Sequence, residues 1–462
     1  MRLHRSIGAV ITAVGVAALV VGCSSAGAGS TSNAKSSNRT VVTGAKACTQ
    51  YGKNITMKVG FSESGATIED GFKSIVSSFE KANPTVKIDV QAKDFSSSLQ
   101  TIKLAMSSNN PPDLMQGNEG WSIDGALWQA NLLLNLDPYA KAYGWDSKFP
   151  QSALTVNEFS KDGKTFGSGS LTGLPQGIQY VGVFYNKANL AKIGITDPST
   201  LDNKDAFLAA LDKSKQAGIT PVMLGDSEKN YALHNISLFN GWYVTPDKIN
   251  DWVFNKPGST YDDAGHIKGA TDMQDWMKKG YFNSDALATS FNDATARFGK
   301  GESTFFITGT WALGDVEKAL GSNAGFMLFP AGDTGIHEAV GGYSLPYTIS
   351  SKTKYPDCAA SFLNYITTSD AAVQAQIAAG RPSATVAGLD APVKDPLLQQ
   401  MVTQYKKLNA DNGLFTWEDW PTPTMLTYSG SQAQLLIGGK LTPKQYAASL
   451  QKNWSDYMKT KK

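Results

Sequence analysis

Carboxylates, amides and a tryptophan lie in two short segments of this chain, each directly after an apolar run. One segment follows the alternating residues 55–61, and the other follows the stretch 111–115. Carboxylate and amide groups accept or donate hydrogen bonds, and an aromatic face can stack on a ligand. The two segments are therefore candidate binding loops. Their residues are Glu63, Ser64, Asn118, Glu119 and Trp121.

The pattern around these loops predicts a doubly wound sheet. Apolar residues alternate with polar ones at 55–61 and 86–90, which is typical of strands. They recur at helical spacing at 68–79 and 99–106, so the order is β-α-β-α-β. Ligands of such sheets bind beyond the carboxyl ends of the strands, where both loops fall. A second α/β pattern extends from about residue 207 to Trp311.

Composition narrows the class of protein. At 462 residues with 41% hydrophobic content, the chain is long enough for two or three domains. The net charge is +2 and no basic run interleaves with aromatic residues, so nucleic acid is not expected as a partner. Ten Trp and seventeen Tyr supply many aromatic faces, most of which belong in a core by default.

The N-terminus resembles a bacterial lipoprotein signal. Arg2 and Arg5 precede an apolar run at 7–21, and a small residue stands before Cys23. The resemblance implies cleavage before Cys23 and lipidation of its thiol. A secretory signal without lipid and an N-terminal anchor are the alternatives. The Ser- and Gly-rich stretch 24–43 cannot bury enough apolar surface to fold, so it is expected to be a flexible tether.

Cysteine usage and motif searches bear on redox and catalytic chemistry. Export permits a disulfide between Cys48 and Cys358, and two separate buried thiols are the alternative. No CxxC or HExxH motif is present, so we expect no metal site. The stretch 60–64 misses the GxSxG elbow, and the sequence contains neither a Walker A loop nor GxGxxG.

The segment 171–195 resembles the crossover of the sugar-binding proteins of ABC importers. In that family a Leu-Pro pair and a short polar segment precede an apolar strand ending in Tyr-Asn-Lys, as at 185–187 here. Further stretches match the family in the same order. They are 298–302 with 308–311, 341–343 with the helix around 359–365, 380–382, and 435–451.

This resemblance implies an α/β fold with two lobes, the type II periplasmic-binding-protein fold. Its doubly wound sheets are joined by a hinge of three segments. We expect a signal peptide at 1–22 and a tether at 23–50. The first lobe is expected at 51–177 and 341–381, and the second lobe at 178–340 and 382–462.

The resemblance also implies a binding site. Trp311 follows a Thr-Gly-Thr turn and matches the family's stacking tryptophan. Gln179 stands where the maltodextrin-binding relative has a carboxylate, and Leu313 where it has a second Trp, so maltodextrin specificity is in doubt. For most other candidates a place in the core or on solvated surface is the alternative. The full set of expected ligand-binding residues is Glu63, Ser64, Asn118, Glu119, Trp121, Gln179, Trp242, Trp311, Gly342, Tyr343, Arg381, Trp417 and Glu418.

The function implied is the substrate-binding component of an ABC sugar importer. Such a protein would be a non-enzymatic monomer without cofactor, anchored by lipid to the outer face of the cytoplasmic membrane. It would capture a mono- or oligosaccharide between its lobes and deliver it to the transmembrane subunits of the permease. The competing interpretation is a secreted glycoside hydrolase with a carboxylate pair, although the sequence does not fix the separation of any two carboxylates.

Overall fold

Two mixed β-sheets form the centre of the computed structural model, which describes residues 40–52, 54–63 and 66–461. Their strands are joined mostly by helices, as the alternating pattern predicts. The strands of this part of the chain are β1 Ile55–Phe61, β2 Val86–Ala92, β3 Leu114–Gln116, β4 Glu158–Phe159, β5 Ser170–Leu171, β6 Gly173–Leu174, β7 Ile178–Asn186, β8 Thr220–Met223, β9 Ser303–Gly309, β10 Ala324–Met327, β11 Ala339–Tyr343, β12 Tyr347–Ile349 and β13 Leu414–Phe415.

Helices cover the faces and edges of the sheets. Several carry the caps expected of their sequences; for example, the Asn186 side chain accepts from the backbone N–H groups of Ala188 and Asn189. The helices of the described residues are α1 Lys46–Thr49, α2 Ala66–Ala82, α3 Phe95–Ser107, α4 Asp124–Gln129, α5 Asp137–Tyr143, α6 Trp145–Lys148, α7 Gln151–Thr155, α8 Lys187–Lys192, α9 Lys204–Gln216, α10 Tyr231–Gly241, α11 Pro246–Val253, α12 Ala264–Lys278, α13 Phe291–Gly299, α14 Leu313–Leu320, α15 Pro356–Thr368, α16 Asp370–Ala378, α17 Val386–Leu389, α18 Pro396–Ala410, α19 Met425–Ile437 and α20 Pro443–Thr460.

The first sheet has the strand order β2-β1-β3-β12-β6. Strands β1, β2 and β3 run parallel, with Val59 opposite both Val90 and Leu114. Strand β12 is antiparallel to both β3 and β6. The predicted β-α-β-α-β order is therefore present at 55–116, and the loops after β1 and β3 leave the sheet at the same edge.

The second sheet has the order β13-β11-β7-β9-β8, and β10 also pairs with β7. Strand β7 is the apolar strand of the segment 171–195, and all nine of its residues are buried. A strand buried on both faces reads as a continuous apolar run, which explains its sequence. Strand β9 lies beside β7 and aims its carboxyl end, Gly309, at the same edge as the start of β7.

The chain passes between the two sheets at separate places. It leaves β6 at Leu174 and enters β7 at Ile178, and it returns between Tyr343 and Tyr347. Gly177 also forms a bridge with Ser383, where the chain passes a third time. The second passage lies a few residues beyond the expected boundary at 341, because residues 341–343 still pair with β7. Both sheets belong to one compact unit, Val41–Lys462.

A disulfide joins Cys48 at the end of α1 to Cys358 in α15, so the two residues are not separate thiols. Both side chains are buried. The bond fixes the short N-terminal helix to the first sheet's covering layer. Across residues 40–52, 54–63 and 66–461, no helix is both long and apolar enough to span a bilayer. Cys23 and Ser64 lie outside the described residues.

Candidate functional site

A cleft opens between the two sheets, and the strand ends of both sheets line it. Glu63 follows β1, Asn118 and Glu119 follow β3, Trp311 follows β9, and Trp417 follows β13. Gln179 and Tyr343 reach it from paired strands of the second sheet. The cleft encloses about 980 Å³ of space, including its open mouth.

Aromatic side chains form one wall of the cleft. The His234 ring lies 5.4 Å from the Trp311 ring and 4.9 Å from the Trp417 ring, measured between centroids. The two tryptophan rings are 6.1 Å apart. Both tryptophans are only partly buried, so part of each ring faces the cleft. Gly309 is required here, because a Cβ at this position would lie 1.9 Å from the Trp311 ring.

His234 is neutral in this wall. Burial lowers the pKa of its imidazole to about 3, since a charged ring would lose its hydration among the aromatic residues. Its Nδ1 has no hydrogen-bond partner among the described residues. The ring therefore offers an uncharged edge to whatever occupies the cleft.

The Glu63 carboxylate connects the two sheets at the base of the cleft. Gln116 donates to its Oε2 at 2.9 Å, and Gln179 from the second sheet donates to its Oε1 at 3.0 Å. Arg381 forms an ion pair with the same Oε1. Arg381 also donates to Gln376 and, at 3.2 Å, to Gln176. Glu63 and Arg381 are both buried and satisfy each other's charge.

A second carboxyl group, that of Glu119, lies on the loop after β3 and has no such partner. Its side chain is 2% exposed, and its Oε1 accepts no hydrogen bond within the described part of the chain. Burial raises the pKa of Glu119 well above its usual value, and the charges of Asp124, Asp419 and Glu63 raise it further. The neighbouring Asp419 also lines the cleft, and burial raises its pKa to about 7.

Glu418 is held by a polar network behind the aromatic wall. Asn240 donates to its Oε1 at 3.0 Å, and His266 Nε2 is 3.7 Å from the same oxygen. Asn240 also donates to the hydroxyl of Tyr261 at 2.9 Å. Burial raises the pKa of Glu418, and the His266 charge opposes that shift. This network fixes the carboxyl group in one orientation.

The structure brings together most of the residues that the sequence singles out. Their contact with a ligand stays a prediction. Tyr343 is held by a 2.6 Å hydrogen bond between its hydroxyl and Ser152. The predicted residues that line the cleft are Glu63, Asn118, Glu119, Gln179, Trp311, Tyr343, Trp417 and Glu418.

Two tryptophans on the predicted list, Trp121 and Trp242, lie in the core and not among the residues that line the cleft. The chain turns at Gly120, which has a φ of +77°, and the Trp121 backbone then donates to Trp420. The indole of Trp121 consequently points inward and donates to Asn255 at 2.9 Å. Trp242 is 1% exposed, and its indole donates to the Pro330 carbonyl at 2.8 Å.

Two further predicted residues stand beside the cleft rather than on its surface. Arg381 is 2% exposed, and its guanidinium donates to Glu63 and to two glutamines. The structure therefore places it against these side chains and not on the surface of the cleft. Gly342 pairs with Gln179 in the sheet and has a φ of +137°. A Cβ added there would meet no atom within 4 Å.

Several residues that line the cleft are missing from the sequence prediction. Ligands of α/β sheets bind beyond the carboxyl ends of strands, and α10 begins beyond the carboxyl end of β8. That rule could have found the lining residues at the start of α10. No motif marks the others. These residues include Phe95, Asn230, Tyr231, His234, Ser237, Tyr261, Leu345, Asp419, Trp420 and Tyr446. In the described ranges, no three His, Cys, Asp or Glu side chains are grouped to hold a metal ion.

Comparison with known proteins agrees with this architecture. A chitin oligosaccharide binding protein superposes with a TM-score of 0.75 at 21% identity, covering 87% of this chain and 99% of the other. Maltose-bound MalE3 of T. maritima gives 0.69 at 15% identity, with 87% and 99% covered. At these identities the likeness concerns the fold, and it confirms the predicted α/β, two-lobed, type II periplasmic-binding-protein fold.

Sequence relatives cover part of the chain. A probable sugar-binding periplasmic protein of Mesorhizobium japonicum is 28% identical over 48% of this chain and 49% of its own length. A multiple sugar-binding protein of Streptococcus mutans is 24% identical over 65% of this chain and 68% of its own. The chain thus spans about half to two thirds of these relatives.

The family model for bacterial extracellular solute-binding proteins matches residues 65–373. The match includes the loop after β3, the strand β7, the turn before Trp311 and the second passage between the sheets. This chain belongs to the bacterial extracellular solute-binding proteins.

Proposed function

We propose that this protein is the substrate-binding component of an ABC sugar importer. One observation carries the proposal: partly exposed tryptophan rings face carboxyl and amide groups across a cleft between two lobes. A sugar presents apolar C–H faces and a rim of hydroxyls, and this cleft offers a surface for each. The printed names of two sequence relatives, both sugar-binding, support the same ligand class.

In this proposal the ligand is held by its faces and its rim together. Trp311 and Trp417 contact the ring faces, while Glu119 and Asn118 bond hydroxyls from the first lobe. Gln179 contributes from the second lobe, and its bond to Glu63 fixes its amide. Because the contacts come from both lobes, a bound sugar joins them.

The lobes would close around the sugar by a hinge at the three passages of the chain. We place the passages near 174–178, 343–347 and 381–383, with the lobe boundaries of the sequence analysis adjusted to them. Closure would bury the ligand and form a joint surface for the permease. Small-angle scattering at saturating ligand should show a smaller radius of gyration, and an unchanged profile would refute closure.

The N-terminus would attach the protein to the outer face of the cytoplasmic membrane. The motivation is the apolar run before Cys23 and the polar stretch after it. In a Cys23→Ala variant expressed in a bacterial host, we expect uncleaved precursor or release from the membrane. Normal processing with full membrane retention would rule out lipidation at Cys23.

A panel of mono-, di- and oligosaccharides tests the ligand class. Thermal shift would identify candidates, calorimetry would measure their affinity, and chromatography of the same mixtures would detect products. We expect binding without turnover. Hydrolysis of any sugar would instead favour the glycoside hydrolase, and absence of binding across the panel would refute the proposal.

A further inference from the structure

The cleft carries acidic groups without a matching cation. Of the described residues that line it, none is Lys or Arg, while Glu63, Glu119, Glu418 and Asp419 all line it. Glu63 is neutralised by Arg381 from behind, and Glu418 has Asn240 and His266. Glu119 and Asp419 have no such partner. The acidic side chains of the described lining that lack a partner are therefore this pair.

The pair sits on two loops that are packed directly against each other. The backbone N–H of Trp121 donates to the Trp420 carbonyl at 2.9 Å. A Cβ on Gly120 would lie 2.4 Å from the Cβ of Trp420, so only glycine allows the loops to approach this closely. Ser122 adds a hydrogen bond to the Asp419 carbonyl at 3.3 Å. The residues that precede Gly120 and Trp420 are Glu119 and Asp419.

Both carboxyl groups retain an oxygen without a protein partner. Glu119 Oε1 and Asp419 Oδ1 accept no hydrogen bond from the described residues, although Glu119 is 2% exposed. An unpartnered buried carboxyl is costly, and the cost is removed when a cation or a donor reaches it. Both free oxygens are shielded from solvent and belong to side chains that line the cleft, so the cleft is the side from which a partner can reach them.

Aromatic faces bound the same space. Trp311, Trp417 and Trp420 line the cleft with the carboxyl pair, and His234 between the first two is neutral. An ammonium group is attracted to aromatic faces as well as to carboxylates, whereas a hydroxyl has only the hydrogen bond. A ligand anion would meet two acidic groups and no free cation.

We infer that the ligand is a sugar with a free amine, whose ammonium group is received by Glu119 and Asp419. This inference rests on the proposed function and names the sugar class within it. Burial favours the protonated form of both carboxyl groups, so the ammonium displaces their protons to solvent as it donates to the two unpartnered oxygens. The sugar ring lies against the tryptophans. N-acetylation removes the charge and adds bulk at the same position, and a sugar acid places a negative charge there.

Matched sugars test the inference by calorimetry at neutral pH. Each hexosamine is compared with its N-acetyl form and its parent hexose, and the disaccharide of glucosamine with its diacetyl form and with cellobiose. We expect the free amine to bind about tenfold or more tightly than its matched partners. Equal or tighter binding of the neutral partners would overturn this inference while leaving sugar binding intact. If no sugar on the wider panel binds, the proposed function falls and the inference with it.

Two variants locate the effect. Glu119→Gln keeps the shape and removes the charge, so the ratio of the affinity for the amine to the affinity for its neutral partner should shrink to about threefold or less. Glu302→Gln changes another glutamate at the opposite end of β9, in an exposed pair with Arg297, and should leave the preference unchanged. A full amine preference in Glu119→Gln would overturn the assignment.

Discussion

Replacement of Trp311 by alanine removes the ring that the proposed site uses as its platform. The indole is partly exposed, and one side of it packs against His234 and Trp417. The rest of the ring faces the cleft. Part of its surface is thus left free for a ligand.

The expected magnitudes differ for binding and for folding. Losing a central aromatic contact of an interface costs about 1–3 kcal/mol, which weakens a dissociation constant by roughly 5- to 150-fold. The unfolding free energy of the ligand-free protein should fall by only about 1 kcal/mol, because the side chain is not fully buried. Trp242→Ala is the matched control, since that indole is 1% exposed and its loss should cost about 3–5 kcal/mol of stability.

Calorimetry with the best sugar of the panel measures the first quantity, and urea unfolding without ligand measures the second. We expect Trp311→Ala to lose affinity with nearly unchanged stability, and Trp242→Ala to lose stability while its folded fraction still binds. If Trp311→Ala unfolds readily and its folded fraction keeps full affinity, Trp311 is a core residue and the site is misassigned.

Three further predictions concern stability. Serine at Cys48 and Cys358 should lower the unfolding free energy by about 2–5 kcal/mol, and reductant should then have no added effect on the urea midpoint. Arg381→Met leaves Glu63 buried without its cation and should cost about 3–5 kcal/mol, part of which Glu63→Gln in the same chain should restore; no recovery would contradict the pairing. Burial raises the pKa of Glu338 from 4.5 to about 8, so the folded protein binds the proton more tightly than the unfolded chain. Stability should fall as pH rises between those values, and Glu338→Gln should flatten the profile.

The strong periodicities of the sequence predict much of the fold. Apolar residues alternate with polar ones in strands β1 and β2, recur at helical spacing in α2, and run without interruption in β7. In each case the local sequence alone indicates which sides of the element are buried. The two-residue strands β5 and β6 have no such signal, because they are defined only by their partners. The passage at 343–347 was displaced for the same reason: nothing local shows that residues 341–343 still pair with β7.

Site residues could be predicted from the sequence where they directly follow a strand. They could not be predicted where distant contacts decide whether a side chain points into the cleft or into the core. Glu119 and Trp121 are two positions apart, yet one lines the cleft and the other enters the core. The difference comes from the turn at Gly120 and from an acceptor on Asn255. His234 was missed because a histidine within a helix carries no motif, and only the packing of α10 beside Trp311 places it at the site.

The disulfide between Cys48 and Cys358 also determines how the fold responds to mechanical force. Tension applied to the folded unit between the N-terminal side of Cys48 and the C-terminal end passes through the covalent bond and continues from Cys358. The chain between them, which contains strands β1 to β12, is bypassed and bears no extension. Only the remainder of the unit, from α15 through α20 with β13, can unfold and extend under the force. Pulling would therefore unfold the C-terminal helices first, while the first sheet carries no load and stays folded.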